Sequence, residues 1–246
     1  MIDVIIPFYL NYNLVEQQFK CWRRIKGEYR LLLCDNTPIN IAKNIEIPDD
    51  FKDKTVLFRN DSSGIDGERH GGVIDYMIKQ TSSDIICIQD SDFFWLDENI
   101  FEYVLRFFKN GYKCVGTDLY YPAFEKVNKL YPERHSSLAP CVFGMFINRE
   151  LALSETFVVS AYEGHTELKE TGWRMRKKII DENIKSIVFP AIQHPEQKNF
   201  NVKNSDVPWF YVGNKTFLGV HLFGGTSYNL GNTDVLFNKI YDNCKQ

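Results

Sequence analysis

Residues 85–95 read IICIQDSDFFW. The apolar run at 85–88 is short and continuous, which is typical of a strand buried on both faces of a parallel sheet. Two carboxylates, Asp90 and Asp92, follow almost directly, and three aromatic residues come next. The sequence therefore predicts a buried strand that delivers a pair of carboxylates to the rim of a sheet.

The Asp-x-Asp pattern by itself is weak, because a chain with 17 Asp residues contains about one such pair by chance. It is also typical of a turn in which carboxylates bond nearby backbone amides. The position of Asp90 and Asp92 after an apolar strand favours a functional role. Two hard oxygen ligands suit Mg²⁺ or Mn²⁺ that bridges to a diphosphate.

The rest of the first half alternates apolar runs with amphipathic stretches. This pattern predicts an α/β domain with a mostly parallel, Rossmann-like sheet and helices on both faces. The predicted strands are 2–8, 30–35, 55–60, 84–90 and 112–116, and the predicted helices lie near 14–25, 68–79 and 100–108. The second half is less regular, with an apolar run at 141–147, a helix at about 167–182 and a strand at 186–189. We expect one domain over 1–246.

Polar residues come at the ends of the first four predicted strands. Pro7 and Tyr9 close the first, Asp35 the second, Asn60 the third and Asp90 the fourth. The carboxyl ends of parallel strands share one edge, where ligands bind. This convergence predicts a ligand site at that edge.

The composition narrows the classes of function. The 246 residues carry a net charge of −3 without a basic stripe, so we expect no nucleic-acid partner. Six scattered cysteines lack metal spacing and are interpreted as small buried residues, which suits a reducing, cytoplasmic location. No signal peptide or apolar stretch of ~20 residues is found, so any membrane contact is expected to be peripheral.

These stretches resemble a glycosyltransferase of the GT-A fold, nearest to the broad family 2. The matching segments are VIIPFY at 4–9, LLCDN at 32–36, GERHGG at 67–72 and ICIQDSD at 86–92. The resemblance implies an enzyme that moves a sugar from a nucleoside-diphosphate sugar, UDP-sugar by default, to a hydroxyl of a glycan or glycolipid acceptor, with Mn²⁺ or Mg²⁺. It implies a nucleotide-sugar-binding half at about 1–118 and an acceptor-side half at about 119–246.

Carried over by position, the resemblance also implies a set of roles. Pro7, Tyr9 and Asp35 would border the base. Asn60 and Arg69 would lie near the nucleotide or its diphosphate, Asp90 near the ribose and Asp92 on the metal. The family usually has an acidic residue or Ser after its first strand-end Asp, whereas this chain has Asn36, which leaves the base preference open.

Two further residues are candidates for ligand binding on separate grounds. Arg69 at a helix start would add a guanidinium to free amides that already attract anions, although a solvated helix-end arginine is the alternative. His221 lies between apolar residues, as a partly buried hydrogen-bonded imidazole often does. Several GT-A enzymes place a late His on the metal, so the resemblance offers His221 as a second metal ligand.

Our hypothesis is an inverting reaction, which requires a general base for the acceptor hydroxyl. Similar enzymes keep an acidic residue at the start of the acceptor-side helix, and here the acidic segment is 163–170. Glu170 is our choice, with Glu163 and Glu167 as rivals. Acidic residues at helix starts also simply complement the helix dipole.

Other classes fit less well. A haloacid-dehalogenase-like phosphatase has Asp-x-Asp after its first strand, not its fourth, and no GxGxxG opens the first helix as in a dehydrogenase. A sugar nucleotidyltransferase has a Gly- and Arg-rich loop that residues 7–11 lack. Three alternatives stay open: a sugar nucleotidyltransferase, a retaining transferase, and a degenerate transferase fold that acts as a carbohydrate-binding module.

Overall fold

The computed structural model describes residues 1–60, 66–117, 139–158, 171–193, 209–213 and 216–222. These residues form two sheets and five α-helices, with a 3₁₀ helix at Asp49–Lys54. The strands are β1 (Ile2–Phe8), β2 (Tyr29–Asp35), β3 (Thr55–Arg59), β4 (Ile85–Gln89), β5 (Phe93–Trp95), β6 (Cys114–Thr117), β7 (Gly144–Asn148), β8 (Ser186–Phe189), β9 (Ala191–Gln193), β10 (Trp209–Gly213) and β11 (Thr216–His221). The helices are α1 (Tyr12–Trp22), α2 (Asp66–Lys79), α3 (Ile100–Lys109), α4 (Arg149–Leu153) and α5 (Trp173–Asp181). None of the helices described is long and apolar enough to cross a membrane.

The larger sheet has seven strands in the order β3-β2-β1-β4-β7-β6-β8. Strands β1 to β4 are mutually parallel, as are β6 and β8, whereas β7 runs antiparallel to both of its neighbours. The prediction of a mostly parallel α/β sheet is therefore confirmed. The carboxyl ends of β1 to β4 meet at one edge, as the strand pattern predicted.

Both faces of this sheet are covered by helices. Alternate residues of β1 point to opposite faces, so Val4 packs in one core cluster and Ile5 in the other. Helices α1 and α3 supply the first cluster, and α2, α4 and α5 supply the second. Burial on both faces explains why the strands read as continuous apolar runs.

The second sheet has the order β5-β11-β10-β9 and is antiparallel. Its edge strand β5 was not predicted, because the three aromatic residues after Asp92 show no strand period. Only residues 90–92 separate the end of β4 in one sheet from the start of β5 in the other. The two predicted site carboxylates therefore lie at the point where the chain changes sheets.

The acceptor-side helix differs from its prediction. We expected it to start near 167, but helix α5 begins at Trp173, and Gly172 before it has a φ of 80°. A left-handed residue cannot lie inside an α-helix, so no continuous helix runs from 167 to 182. A Cβ at position 172 would also overlap the Val142 side chain.

A buried carboxylate fixes the connection that leads into β4. Asp3 of β1 accepts hydrogen bonds from Arg30 Nε at 2.9 Å and from the amides of Ser82 and Ser83 at 2.7 and 3.1 Å. Burial would raise the pKa of Asp3, but these donors outweigh it and hold that pKa below its usual value. The carboxylate therefore stays charged and anchors the α2–β4 connection to the sheet.

Helix α2 approaches the segment after α4 very closely at Gly71. A Cβ at this position would overlap the carbonyl oxygen of Phe157, whereas a Cβ at Gly72 would meet only Val158 Cγ2, at 3.9 Å. The backbone at Phe157 cannot shift to make room for a Cβ as the end of a flexible side chain could. The sequence needs glycine at 71 for packing but not at 72.

We therefore expect opposite effects from two neighbouring substitutions. Gly71→Ala should destabilise the protein by ~1–3 kcal/mol through overpacking, and Gly72→Ala should stabilise it by ~0.5–1 kcal/mol because alanine loses less backbone entropy in a helix. Urea unfolding followed by circular dichroism measures both. Equal effects of the two variants would contradict the close approach.

Candidate metal centre

The turn between β4 and β5 is held by backbone hydrogen bonds on both sides. The amide of Asp90 donates to Phe143 O at 3.1 Å, and the amide of Phe93 donates back to Asp90 O at 3.1 Å. The amide of Leu222 donates to Asp92 O at 2.9 Å. Backbone atoms that are distant in sequence therefore fix the positions of the main chain at Asp90 and Asp92.

Asp90, Asp92 and His221 place one ligand atom each within 4.8 Å of one another. Ligands on opposite sides of an ion with bonds of about 2.1 Å lie roughly 4.2 Å apart, so one ion fits this group. Two carboxylates and an imidazole suit Mn²⁺ or a related divalent ion. Within the part of the chain that the structure describes, this is the one group of three or more such side chains.

His221 is fixed more firmly than its sequence neighbours suggested. It ends β11 opposite Phe93, and its ring stacks on Phe143 with centroids 4.5 Å apart and planes at 23°. Its Nε2 lies 3.1 Å from Asp92 Oδ1, with both side chains buried. The structure therefore brings together Asp92, in the turn before β5, and His221, which lies 129 residues later at the end of β11.

A second imidazole contacts the other carboxylate. His70 of α2 lies with Nε2 3.1 Å from Asp90 Oδ1. Burial would lower the pKa of His70, but the charge of Asp90 and, at longer range, of Asp92 raises that pKa above its ordinary value. Burial likewise would raise the pKa of Asp90, and His70 and then His221 lower it. Each aspartate thus has an imidazole partner from a different element.

The residues predicted at the nucleotide base lie at the ends of β1 to β3. Tyr9 is exposed and Pro7 is buried in β1. Asp35 is only 1% exposed, and both of its oxygens already accept hydrogen bonds, from the Thr37 amide at 2.9 Å and the Tyr12 hydroxyl at 3.1 Å. Asp35 therefore joins the end of β2 to the start of α1.

The ends of β2 and β3 are joined by amides. Asn60 donates its backbone amide to Asp35 O at 2.9 Å and its side-chain Nδ2 to Asn36 Oδ1 at 3.3 Å. Asn60 is half-buried and Asn36 is buried. This leaves a polar edge next to β1 and, one strand further, β4.

Four predicted residues are not placed by side chain. Arg69 lies in the first turn of α2, but its side chain is outside the described part of the chain. Glu163, Glu167 and Glu170 all lie in 159–170, which is also outside the described residues. Their roles stay predictions.

Sequence reasoning missed the buried Gln18 and its link to Gln89, a polar residue at the end of the fourth strand. Gln18 of α1 donates from Nε2 to Ser91 O at 2.9 Å and to Phe93 O at 2.7 Å. Gln89 Nε2 donates to Gln18 Oε1 at 2.8 Å. The signal was present in the helix period, because Gln18 falls on the same stripe as Leu14 and Trp22, where a polar residue needs a partner.

Comparison with known proteins gives structural likeness only. No protein-family model matches this chain, and no curated protein matches it by sequence. Similar solved structures include a mannosyltransferase from Pyrobaculum calidifontis in complex with GDP-Man and Mn²⁺, at 13% identity and a TM-score of 0.49 over 77% of this chain and 54% of that one. Another is glucosyl-3-phosphoglycerate synthase from Mycobacterium tuberculosis in complex with Mn²⁺, UDP and glucosyl-3-phosphoglycerate. Its sequence identity is 15% and its TM-score is 0.48, over 77% of this chain and 70% of that one.

A third is the glycosyltransferase GlyE of Streptococcus pneumoniae, at 12% identity and a TM-score of 0.45 over 80% of this chain and 46% of that one. This chain spans about half of the mannosyltransferase, and 33% to 47% of the four similar structures of TarS from S. aureus. The site geometry above does not depend on these likenesses.

We expect the cluster of Asp90, Asp92 and His221 to bind Mn²⁺ directly. Asp92→Asn and His221→Ala each remove one ligand, and each should weaken Mn²⁺ binding by about tenfold or more. The measurement is a Mn²⁺ titration followed by electron paramagnetic resonance. Glu102→Gln, which changes an exposed carboxylate of α3, should bind as the wild type does. Wild-type affinity in both ligand variants would contradict the site.

Proposed function

We propose that this chain is a metal-dependent glycosyltransferase that moves a sugar from a nucleoside-diphosphate sugar to an acceptor hydroxyl with inversion at the anomeric carbon. The observation that carries the proposal is the cluster of Asp90, Asp92 and His221 at the carboxyl edge of a parallel sheet, beside the polar ends of β1 to β3. Ligands bind at this edge in open α/β sheets. The motifs of the first half, which resemble glycosyltransferase family 2, give the same answer.

The metal ligands support a role in departure of the diphosphate. A bound divalent ion would act as a Lewis acid toward the charge that develops on the leaving group. Asp92 and His221 would hold it, with Asp90 as the third side chain of the cluster. Three protein ligands are too few for a closed cage. This chain's contribution is to hold the carboxylate and imidazole in place through β11 and the Phe143 ring.

The ends of β1 to β3 would receive the nucleotide. Tyr9 is exposed at this edge and offers a ring to the base. Asn60 offers an amide, and Asp90, whose side chain is 26% exposed, remains accessible to a ribose hydroxyl. Asp35 and Pro7 would border the base, with Asp35 acting through the hydrogen bonds that fix Tyr12 and Thr37. Arg69 would meet the diphosphate from the first turn of α2.

We assign the general base on the acceptor side from the requirements of the inverting reaction. Inversion requires a group that takes the acceptor proton as its oxygen attacks opposite the diphosphate. Asp90 and Asp92 belong to the leaving-group side, so the base must come from elsewhere. We assign it to Glu170, with Glu163 and Glu167 as rivals, and we propose a glycan or glycolipid acceptor and UDP as the nucleotide.

We place the enzyme in the cytoplasm. Five of the six cysteines lie in the described part of the chain, and all five are buried. Burial raises the pKa of Cys21 and of Cys34 to about 12. Buried thiols with a raised pKa, such as these two, suit a reducing compartment.

Nucleotide binding should depend on the metal ion. A nucleoside diphosphate should raise the melting temperature more with Mn²⁺ than with EDTA, because the diphosphate completes the ion's ligand shell. A thermal-shift panel of UDP, GDP, CDP and ADP measures this. Asp92→Asn should lose the Mn²⁺-dependent part, and Glu102→Gln should keep it. Stabilisation by glycans without any response to nucleotides would instead favour the carbohydrate-binding alternative.

Loss of the base should reduce turnover while donor binding persists. For Glu170→Gln we expect a fall of about 10²–10⁴-fold in rate with unchanged donor affinity, measured beside Glu163→Gln and Glu167→Gln. The anomeric configuration of the product is read by NMR. A retained configuration would overturn the inverting mechanism, and near-wild-type turnover in all three variants would overturn the assignment of the base.

A further inference from the structure

Among the strands that the structure describes, β5 is an edge of its sheet and has a strand partner on one side only. Asp92 O accepts from the Leu222 amide and the Leu96 amide donates to Leu218 O, at 2.9 and 2.8 Å. Successive residues of a strand point their backbone groups to opposite sides. The even-numbered residues of this segment therefore face β11, and the carbonyls of Ser91, Phe93 and Trp95 face away from it.

Helix α1 supplies the donors for this second side. Gln18 Nε2 donates to Ser91 O and Phe93 O, at 2.9 and 2.7 Å. Cys21 Sγ, one turn further along the helix, contacts Trp95 O at 2.7 Å. Side chains at i and i+3 lie on one helix face, so α1 acts on β5 as a neighbouring strand would.

The chemistry at position 18 requires an amide. Gln18 is 1% exposed, donates both N–H groups to carbonyls and accepts from Gln89 Nε2 at 2.8 Å. Glutamate has no N–H to donate and would add a third carboxylate beside Asp90 and Asp92. Methionine has a similar length but would remove the donor to Ser91 O and the acceptor of Gln89 Nε2. Phe93 O would keep the donor Gln89 Nε2, at 3.2 Å.

We propose that Gln18 is the positioning residue of the metal centre. Ser91 O belongs to the peptide between the two aspartates, so the hydrogen bond from Gln18 fixes the plane of that peptide. The plane of this Ser91–Asp92 peptide sets where the Asp92 side chain starts, and with it the approach of Asp92 Oδ1 to His221 Nε2 at 3.1 Å. The inference rests on the metal role proposed for Asp92, but it assigns a function to a residue of α1 that does not touch the ion.

The test compares Gln18→Met with a matched control, Cys21→Ala. The control also removes a contact from α1 to a β5 carbonyl, but at the end of the strand away from the turn. Both variants should lower the melting temperature. Only Gln18→Met should also weaken binding of Mn²⁺ alone, by about tenfold, and alter its paramagnetic resonance spectrum. Gln18→Asn, which keeps the amide on a shorter stem, should give a smaller loss and serves if Gln18→Met folds poorly.

Hydrogen exchange supplies a readout without metal. The Leu222 amide, bonded to Asp92 O, should exchange faster in Gln18→Met than in Cys21→Ala, because the turn is no longer held from the α1 side. Mn²⁺ affinity and exchange rates in Gln18→Met equal to those of Cys21→Ala would overturn the positioning role. Wild-type protein that binds no Mn²⁺ would overturn the metal centre itself, so the two failures are distinguishable.

Discussion

A buried peptide group needs a hydrogen-bond partner, and the residues between β4 and β5 meet this demand while the chain changes sheets. The amide of Asp90 finds Phe143 O, and the carbonyl of Asp92 finds the Leu222 amide. The carbonyl of Ser91 finds Gln18. Each partner comes from a different part of the fold: the approach to β7, the end of β11 and α1. The direction of both carboxylates follows from these three contacts.

Two charged carboxylates in a mostly buried turn would be costly without compensation, since burial disfavours the ionised form. The structure compensates each with its own imidazole, Asp90 with His70 and Asp92 with His221, both at 3.1 Å. His70 comes from a helix over the larger sheet and His221 from the smaller sheet. Each carboxylate of the site therefore has an imidazole contact from a different side of the junction, and a cation would find these side chains already placed by the fold.

Much of the larger sheet could be predicted from the sequence, because its signals are local. The continuous apolar runs gave β1 and β8 with their observed bounds, and β2 to β4 to within a residue or so at each end. Strand β5 was missed because three aromatic residues carry no period, and its pairing with β11 is a contact over more than 120 residues. No local pattern links Asp92 with His221 either, so it was the resemblance that offered His221 as the second metal ligand. Helix α2 was predicted, but its rotation, which turns His70 toward Asp90, depends on packing and not on pattern.

The Phe93 ring couples the packing of the candidate site to both sheets. It lies between two glycines, Gly144 of β7 and Gly219 of β11, and a Cβ at either would come within 2.7 or 2.6 Å of the ring's Cζ. One ring next to Asp92 thus contacts a strand of the larger sheet and a strand of the smaller one. Packed interiors transmit strain. A larger residue at either glycine would therefore displace the Phe93 ring, and with it the adjoining Asp92. The glycines of the two strands therefore help to shape the candidate metal site, since they determine how closely the sheets approach around it.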